Sequence, residues 1–446
     1  MTGRRVWFEH AVLADGVRAD VLVSIEDGSI TAVEHGVAPG GDVEQLLGLT
    51  VPGFANTHSH AFHRALRGHT HGATGDFWTW RDEMYRVAVK LTPNNYFDLA
   101  RATFAEMVLA GYTSVGEFHY VHHRPDGSSY DDPNAMGAAL IAAARDAGIR
   151  LTLLDACYLR GGPGVPLASE QLRFSDGDAQ GWADRVDLLV DADDVRIGAA
   201  IHSARAVDAE SIRAIAHHAG RRAMPLHAHV SEQPAENDQI DVEHGCSPIG
   251  LLAAAGALSP RFTAVHATHL VSDDIDALAA ARCTACLCPT TERDLADGIG
   301  PSAELRAAGV RLAIGSDQHA VIDPFEEMRA VELNERLRSL RRGTHPAPEL
   351  LATGTVNGYR SLGWDNGGAI AVGQLADLVT VSLDGVRLAG HAGGDLVDAL
   401  VFAAGAADVT DVIVGGTTVV RGGAHVALDV ASELRRSIAA VREGGR

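Results

Sequence analysis

Eight short apolar runs recur through the middle of the chain, separated by alanine-rich stretches with helical spacing. The runs are "TVPGFANTHSH", "GYTSVGEFHY", "IRLTLLDACYL", "VRIGAAIHS", "AMPLHAHVSE", "FTAVHATHL", "CTACLCPTTE" and "VRLAIGSDQH". Intervening stretches such as "YFDLARATFAEMVLAG", "NAMGAALIAAARDAG" and "DAESIRAIAHHAG" end in Gly, a normal helix stop. Regular strand–helix alternation calls for a parallel sheet, and eight units suit a closed (β/α)8 TIM-like barrel, an α/β fold. Polar residues gather at the C-terminal ends of the runs: His58 and His60, Glu117 and His119, His202, His229 and Glu232, His266 and His269, Asp317 and His319. In a barrel those ends converge on the catalytic face. In unrelated strands such placement would have no reason.

The two ends of the chain read differently. Residues 6–50 form short alternating segments with Gly and Asp turns, and "GQLADLVTVSL" and "VTDVIVGGTTVVRGG" repeat the pattern before a final helix near "ASELRRSIAAVREGG". They predict one small β-sandwich domain built from both termini, residues 1–50 and 364–446, around a barrel of residues 51–363. A length of 446 residues, 46% of them apolar, suits one large domain plus a small one. No run of ~18 uncharged apolar residues occurs, so no membrane span is expected. The opening "MTGRRVWFEHAVLADG" lacks an apolar signal-peptide core, and a cytoplasmic protein is expected. A formal net charge of −21 excludes nucleic acid and anionic membranes as partners. The five cysteines include the CxxC of "CTACLC", but no second pair lies at zinc-ribbon distance, and a structural core role is expected.

In a strand, residues i and i+2 face one side, so "HSH" presents His58 and His60 together, and neutral imidazole is a good metal ligand. His227 and His229 share a face in "HAHVSE", with Glu232 three residues beyond. "VHATH" and "IGSDQH" supply His266 and Asp317 at two further strand ends. Any one of these could be a hydrogen-bonded core group. All of them at the ends of separate strands point to a metal site.

These features resemble the amidohydrolase superfamily: HxH on the first barrel strand, His on the fifth and sixth, Asp on the eighth, and a split β-domain from the termini. The resemblance covers nearly the whole length. It implies metal ligands His58, His60, His229 and Asp317, with His266 close by. Of the two histidines in "HAHVSE", the one followed by xxE matches the deaminase branch, which selects His229 over His227. Binuclear members bridge two metals with a carboxylated lysine on the fourth strand, but the only lysine here is Lys90, before the second strand. Glu117 is the other conceivable bridge; one divalent ion is the better reading, zinc expected with ferrous iron as the alternative. Such an ion lowers the pKa of water toward ~7. The resemblance then makes Asp317 a first proton acceptor, Glu232 the proton donor to a departing nitrogen, and His266 a group that polarises the substrate or steadies the water.

The wording "HSHAFHRALRG", "FWTWRDEMYR", "GYTSVGEFHYVHH", "HAHVSEQPAEND", "CLCPTTERDLADGI" and "IGSDQH" is similar to the formimidoylglutamate deiminase branch of that superfamily. The resemblance implies a dicarboxylate amidine substrate, N-formimino-L-glutamate, hydrolysed to N-formyl-L-glutamate and ammonia in histidine degradation. It implies substrate contacts at Arg81, Arg205, Tyr120, His202 and His63, and a homodimer. Paired arginines suit two carboxylates because each guanidinium fork bonds bidentately. His63 stands where some members have glutamine, which leaves open the shorter N-formimino-L-aspartate. The other readings are a nucleobase or aminotriazine deaminase, whose neutral ring needs no paired arginines, an amide-bond hydrolase, and a non-catalytic metal-binding protein. Phe77 and the tryptophans of "DFWTW" serve either as a lid or as a core anchor. His69 and His71 are expected in a solvated loop, and His122 and His123 in a loop near the pocket.

Overall fold

The computed structural model describes residues 3–41, 43–70 and 77–443, with the side chains of residues 77–79 and 394 left aside. Its centre is an eight-stranded parallel sheet in sequence order. The barrel strands are Phe54–Ser59, Tyr112–His119, Arg150–Cys157, Val195–Ser203, Leu226–Val230, Phe262–His266, Thr284–Leu287 and Arg311–Ile314. The second and third are buried at every position, as expected for parallel strands sheathed by helices on one face and filled with side chains on the other. The sheathing helices start and stop where the residues dictate. Thr92 and Asn95 make a capping box ahead of helix Pro93–Leu109, Asp208 caps Ala209–Arg221, and Gly148 ends Ala135–Ala147 at φ +72°.

The first and eighth strands meet through the backbone of three polar residues. Asp317 donates its N–H to the His58 carbonyl at 2.9 Å, and His60 donates to the Asp317 carbonyl at 3.1 Å. Gly315 permits this approach, because a Cβ there would lie 2.8 Å from His58 Cβ.

The termini combine in one eight-stranded mixed sheet. Arg4–Leu13, Gly16–Glu26, Ser29–Glu34 and Glu44–Pro52 join Leu378–Val381, Val409–Val414, Thr417–Arg421 and Ala424–His425. Val6, Phe8, Val21, Val23, Ile30, Leu46 and Leu378 form its own core. The run "TVPGFANTHSH" is two strands: Glu44–Pro52 belongs to this sheet and Phe54–Ser59 to the barrel. Gly53 turns the chain between them, where a Cβ would sit 2.0 Å from Thr113 Oγ1. Asp377 ties the two units together, accepting from Arg150 Nε at 2.7 Å, Tyr359 Oη at 2.8 Å and Gly415 N at 2.6 Å. The closing helix, Val430–Glu443, packs on barrel helix Pro93–Leu109, with Arg101 paired to Glu433 at 2.6 Å. Among the described residues no helix is long and apolar enough to cross a membrane.

Candidate active site

His58 and His60 flank Ser59 at the end of the first strand, so both rings turn inside the barrel. His229 reaches them from the fifth strand and Asp317 from the turn after the eighth. His229 Nε2 lies 3.1 Å from His58 Nε2 and 3.3 Å from His60 Nε2. Asp317 Oδ1 lies 3.3 Å from each of the same two nitrogens. Donors held about 2.0–2.1 Å from a central ion in a tetrahedron stand about 3.3 Å apart. The spacing is therefore that of a four-ligand cation site.

The protonation of the rings agrees. His60 Nδ1 contacts the Phe118 carbonyl at 2.9 Å and His229 Nδ1 the His202 carbonyl at 2.8 Å. A carbonyl only accepts, so each Nδ1 carries the hydrogen and each Nε2 presents a lone pair. Burial pushes His58, His60 and His229 below the ordinary histidine range, which keeps them neutral. Burial alone would raise Asp317, but its hydrogen bond to His58 and the nearby His266 and His63 outweigh it, holding the carboxyl well below the usual range. Nitrogen lone pairs aimed at one another around a carboxylate need a cation between them.

His266 sits beside this cluster, its ring stacked on that of His229 at 5.7 Å. Its Nε2 lies 3.7 Å from Glu232 Oε1 and 4.0 Å from Asp317 Oδ2, and its Nδ1 lies 3.6 Å from Glu292 Oε1. Burial lowers its proton affinity, but the surrounding carboxylates of Glu232, Glu292 and Asp317 raise it well above the ordinary value. Burial raises the Glu232 carboxyl to about 7; His266 opposes the shift, and Asp317 and Glu236 add to it. Backbone strain collects here too. Ser231, His266 and Asp317 adopt φ of +51°, +67° and +43°, a left-handed conformation that L side chains rarely take and that costs of order 1 kcal/mol or more each.

The cluster opens into a cavity of about 620 Å³, mouth included, whose walls include His63, Trp80, Arg81, Tyr120, His202 and Arg205. Every substrate contact expected from the sequence therefore faces one space. His63 Nε2 shares a hydrogen bond with Tyr120 Oη at 2.9 Å, and its ring stands edge-on to Trp80 at 5.2 Å. Trp80 thus forms part of the cavity wall; the side chains of Phe77 and Trp78 lie outside the described residues. His69 is exposed, and His71 lies outside the described residues.

Several strand-end residues do not reach the cavity. His227 is buried beneath the site, with Nε2 3.0 Å from the Ser361 carbonyl. Glu117 accepts from Ser59 Oγ at 2.6 Å and Ala61 N at 2.7 Å, so it clamps the HSH turn from the helix side of the strand and does not line the cavity. Burial raises that carboxyl to about 8. His269 Nε2 bonds the Asp297 carbonyl, and His319 lies between Ser316 and Ser59. His122 and His123, expected near the pocket, are buried away from it: His122 Nε2 meets the Ala156 carbonyl and His123 Nε2 meets Asp176, because Asp155, Asp176 and Arg185 form an ion-pair network there. All five cysteines are free, and four are buried in the core.

The sequence reading missed Glu292, Asp297, Tyr85, Tyr158 and Phe174. Tyr85 had a signal: it lies four residues after Arg81 in one helix and so shares its face. The others come from segments that follow the third and seventh strands and carry no metal-ligand spacing.

The chain matches the amidohydrolase family over residues 49–419. It belongs to the amidohydrolase family. It is 36% identical over 434 residues to a formimidoylglutamate deiminase of Pseudomonas aeruginosa, a match covering 94% of this chain and 95% of that one. It is 30% identical over 408 residues to a 5-methylthioadenosine/S-adenosylhomocysteine deaminase of Natronomonas pharaonis, covering 90% and 88%. Its fold superposes on the crystal structure of an amidohydrolase from Brucella melitensis with a TM-score of 0.90 at 31% identity, covering 98% of this chain and 99% of that one. The family member described here is thus a hydrolase with a candidate four-donor metal site on its catalytic face.

Proposed function

We propose that this amidohydrolase is a zinc-dependent deiminase that hydrolyses N-formimino-L-glutamate to N-formyl-L-glutamate and ammonia. The observation that carries the reading is a cavity with His60, His229 and Asp317 of the four-donor cluster and Glu232 among its walls and two guanidiniums, Arg81 and Arg205, among them as well. Neutral purines need no such pair, whereas a substrate with two carboxylates does. The identity to a formimidoylglutamate deiminase over nearly the whole chain supports the same choice over the purine deaminases it also resembles.

His58, His60, His229 and Asp317 would hold the ion, and an all-nitrogen-and-oxygen, four-donor set suits zinc. When bound, the ion supplies an activated water at neutral pH. Asp317 turns Oδ1 to His58 and His60 and leaves Oδ2 toward His266, so Oδ2 is placed to take the proton of that water. Water oxygen bonds to the formimidoyl carbon while its C=N π pair moves to nitrogen. Glu232, whose carboxyl holds its proton to about pH 7, would give it to that nitrogen; the proton held on Asp317 would then reach the same nitrogen, the hydroxyl proton would return to Glu232 as the C=O bond forms, and the C–N bond would break to release ammonia. His266, between Glu232 and Asp317, keeps the two carboxyls apart and orients the addition. Arg81 and Arg205 fix the carboxylates, and Tyr120, His202 and His63 line the space between.

His63 favours one second reading. Its imidazole occupies the cavity wall beside His60, with ring centroids 4.5 Å apart, and with Nε2 engaged by Tyr120 a neutral ring offers a substrate fewer hydrogen-bonding groups than a glutamine amide would. This supports the shorter N-formimino-L-aspartate as the alternative substrate. Ammonia release by purified metal-loaded protein from the two formimino acids, beside a nucleobase panel, decides. Turnover of the nucleobases alone would overturn the proposal.

A further inference from the structure

Gln171 lies in the short 3-10 turn Ser169–Phe174, buried behind the cavity wall. Its Oε1 accepts the backbone N–H of Ala168 at 2.8 Å. A backbone N–H can only donate, so this contact fixes which end of the amide is oxygen. Nε2 then turns to two phenols, Tyr158 Oη at 2.7 Å and Tyr85 Oη at 3.0 Å. Both amide hydrogens are spent on phenol oxygens. Each phenol accepts from Gln171 and keeps its own hydrogen, and a direct contact between the two tyrosines can consume only one of the pair.

Tyr85 and Tyr158 both line the cavity, beside Arg81 and Arg205. The Arg81 guanidinium lies 5.7 Å over the Tyr85 ring, and the Tyr158 ring stands edge-on to His202 at 4.4 Å. Phe174 packs against both, 6.2 Å from Tyr85 and 5.5 Å from Tyr158, which limits their freedom to turn away. Burial pushes the Tyr158 phenol well above its ordinary value, so it is a donor at every working pH.

We propose that Tyr85 and Tyr158, oriented by Gln171, form a neutral donor platform that receives one carboxylate of a dicarboxylate substrate between the Arg81 and Arg205 guanidiniums. This rests on the reading of the site as acting on a formimino dicarboxylate. The platform discriminates through loss: a substrate without that carboxylate leaves a buried phenol donor unpaired, and sites built this way reject such analogues strongly. Gln171 itself touches no substrate and is a positioning residue.

Gln171→Glu tests this with almost no change of shape. A carboxylate only accepts, so it would take both phenol hydrogens and add a negative charge behind them. Gln171→Met and Tyr158→Phe remove the orientation and one donor without adding charge. Steady-state kinetics on the metal-loaded full chain would compare N-formimino-L-glutamate with its α-amide and its side-chain amide. The expected result is a KM for the diacid raised at least about tenfold in Gln171→Glu, and roughly fivefold in the other two, with kcat nearly unchanged. The increase should vanish with one of the two monoamides. An unchanged KM, or an equal rise on all three substrates, overturns the platform. If the wild-type chain releases no ammonia from the diacid, the parent reading fails, and the platform is read instead from glutarate affinity by calorimetry. Weaker binding in Gln171→Glu and Tyr158→Phe supports it, and equal affinities overturn it.

Discussion

Removal of the ion, read against two histidines of one strand, tests the centre of the reading. His227 and His229 sit two residues apart on Leu226–Val230, both buried. Only His229 places Nε2 3.1–3.3 Å from the other donors, whereas the Nε2 of His227 is engaged by the Ser361 carbonyl at 3.0 Å. In metal-free protein, the neutral imidazoles of His60 and His229 aim their Nε2 lone pairs at one another, at the seam where Asp317 N and the His58 carbonyl close the barrel. An ion present at a thousand times its dissociation constant stabilises the folded chain by about 4 kcal/mol. Unfolding entropy near 2.1 cal/mol/K per residue gives roughly 0.9 kcal/mol/K for 446 residues, so zinc should raise the melting temperature of chelator-treated protein by about 4 °C. His229→Asn should reduce the rise to less than about 1 °C, while His227→Asn should keep it whole even if it lowers the starting temperature. Differential scanning fluorimetry with elemental analysis checks both, and the expected loading is one ion per chain. A rise that survives in His229→Asn, a rise that disappears in His227→Asn, or two ions per chain would refute the geometry.

Further outcomes are expected. Glu232→Gln should keep its metal and lose about 10²–10⁴-fold in kcat, the usual worth of a positioned proton-transfer group; unimpaired turnover would remove Glu232 from the chemistry. Arg205→Ala should raise KM for a dicarboxylate by about 10–100-fold, the cost of a lost charge-assisted bond, and much less for a monoamide, as steady-state rates would show. Burial works against ionisation of Asp176, yet its hydrogen bonds to Arg185 and His123 outweigh it, and the carboxyl is held far below its ordinary 3.8. Its stabilising contribution is therefore complete above about pH 4–5 and is lost as acid protonates it. Asp176→Asn should lower stability at pH 7 by about 3 kcal/mol and flatten the acid limb of the stability curve, measured by denaturant titration.

The barrel was legible because its signal is local and repeated: eight apolar runs, six of them with a polar end, map onto eight strands. What stayed hidden was the parity of each strand. "HSH" and "GEFHY" look alike as polar ends. In the barrel, Ser59 pairs beside Glu117, so Ser59, Glu117 and His119 face the helices while His58, His60, Phe118 and Tyr120 face inward. Parity depends on register between neighbouring strands, which no single run contains. The same limit explains His122 and His123: their partners Asp155, Asp176 and Arg185 come from other segments.

The four donors were legible for the opposite reason: two of them are fixed by one tripeptide. Once His58 and His60 face inward, closure of the barrel brings Asp317 beside them, because Asp317 N bonds the His58 carbonyl and its own carbonyl accepts from His60. The seam and the cluster are thus one structure, and Gly315 is needed by both, since a Cβ there would collide with His58. The left-handed φ of Asp317 follows: the chain must leave the eighth strand sharply to aim a carboxylate back over the seam it has just closed. Glu292 and Asp297 have no such covalent or ladder constraint. They reach the His266 neighbourhood from the short helix Pro289–Asp294 and the loop that follows it, so their meeting depends on packing that the sequence does not spell out in any short stretch.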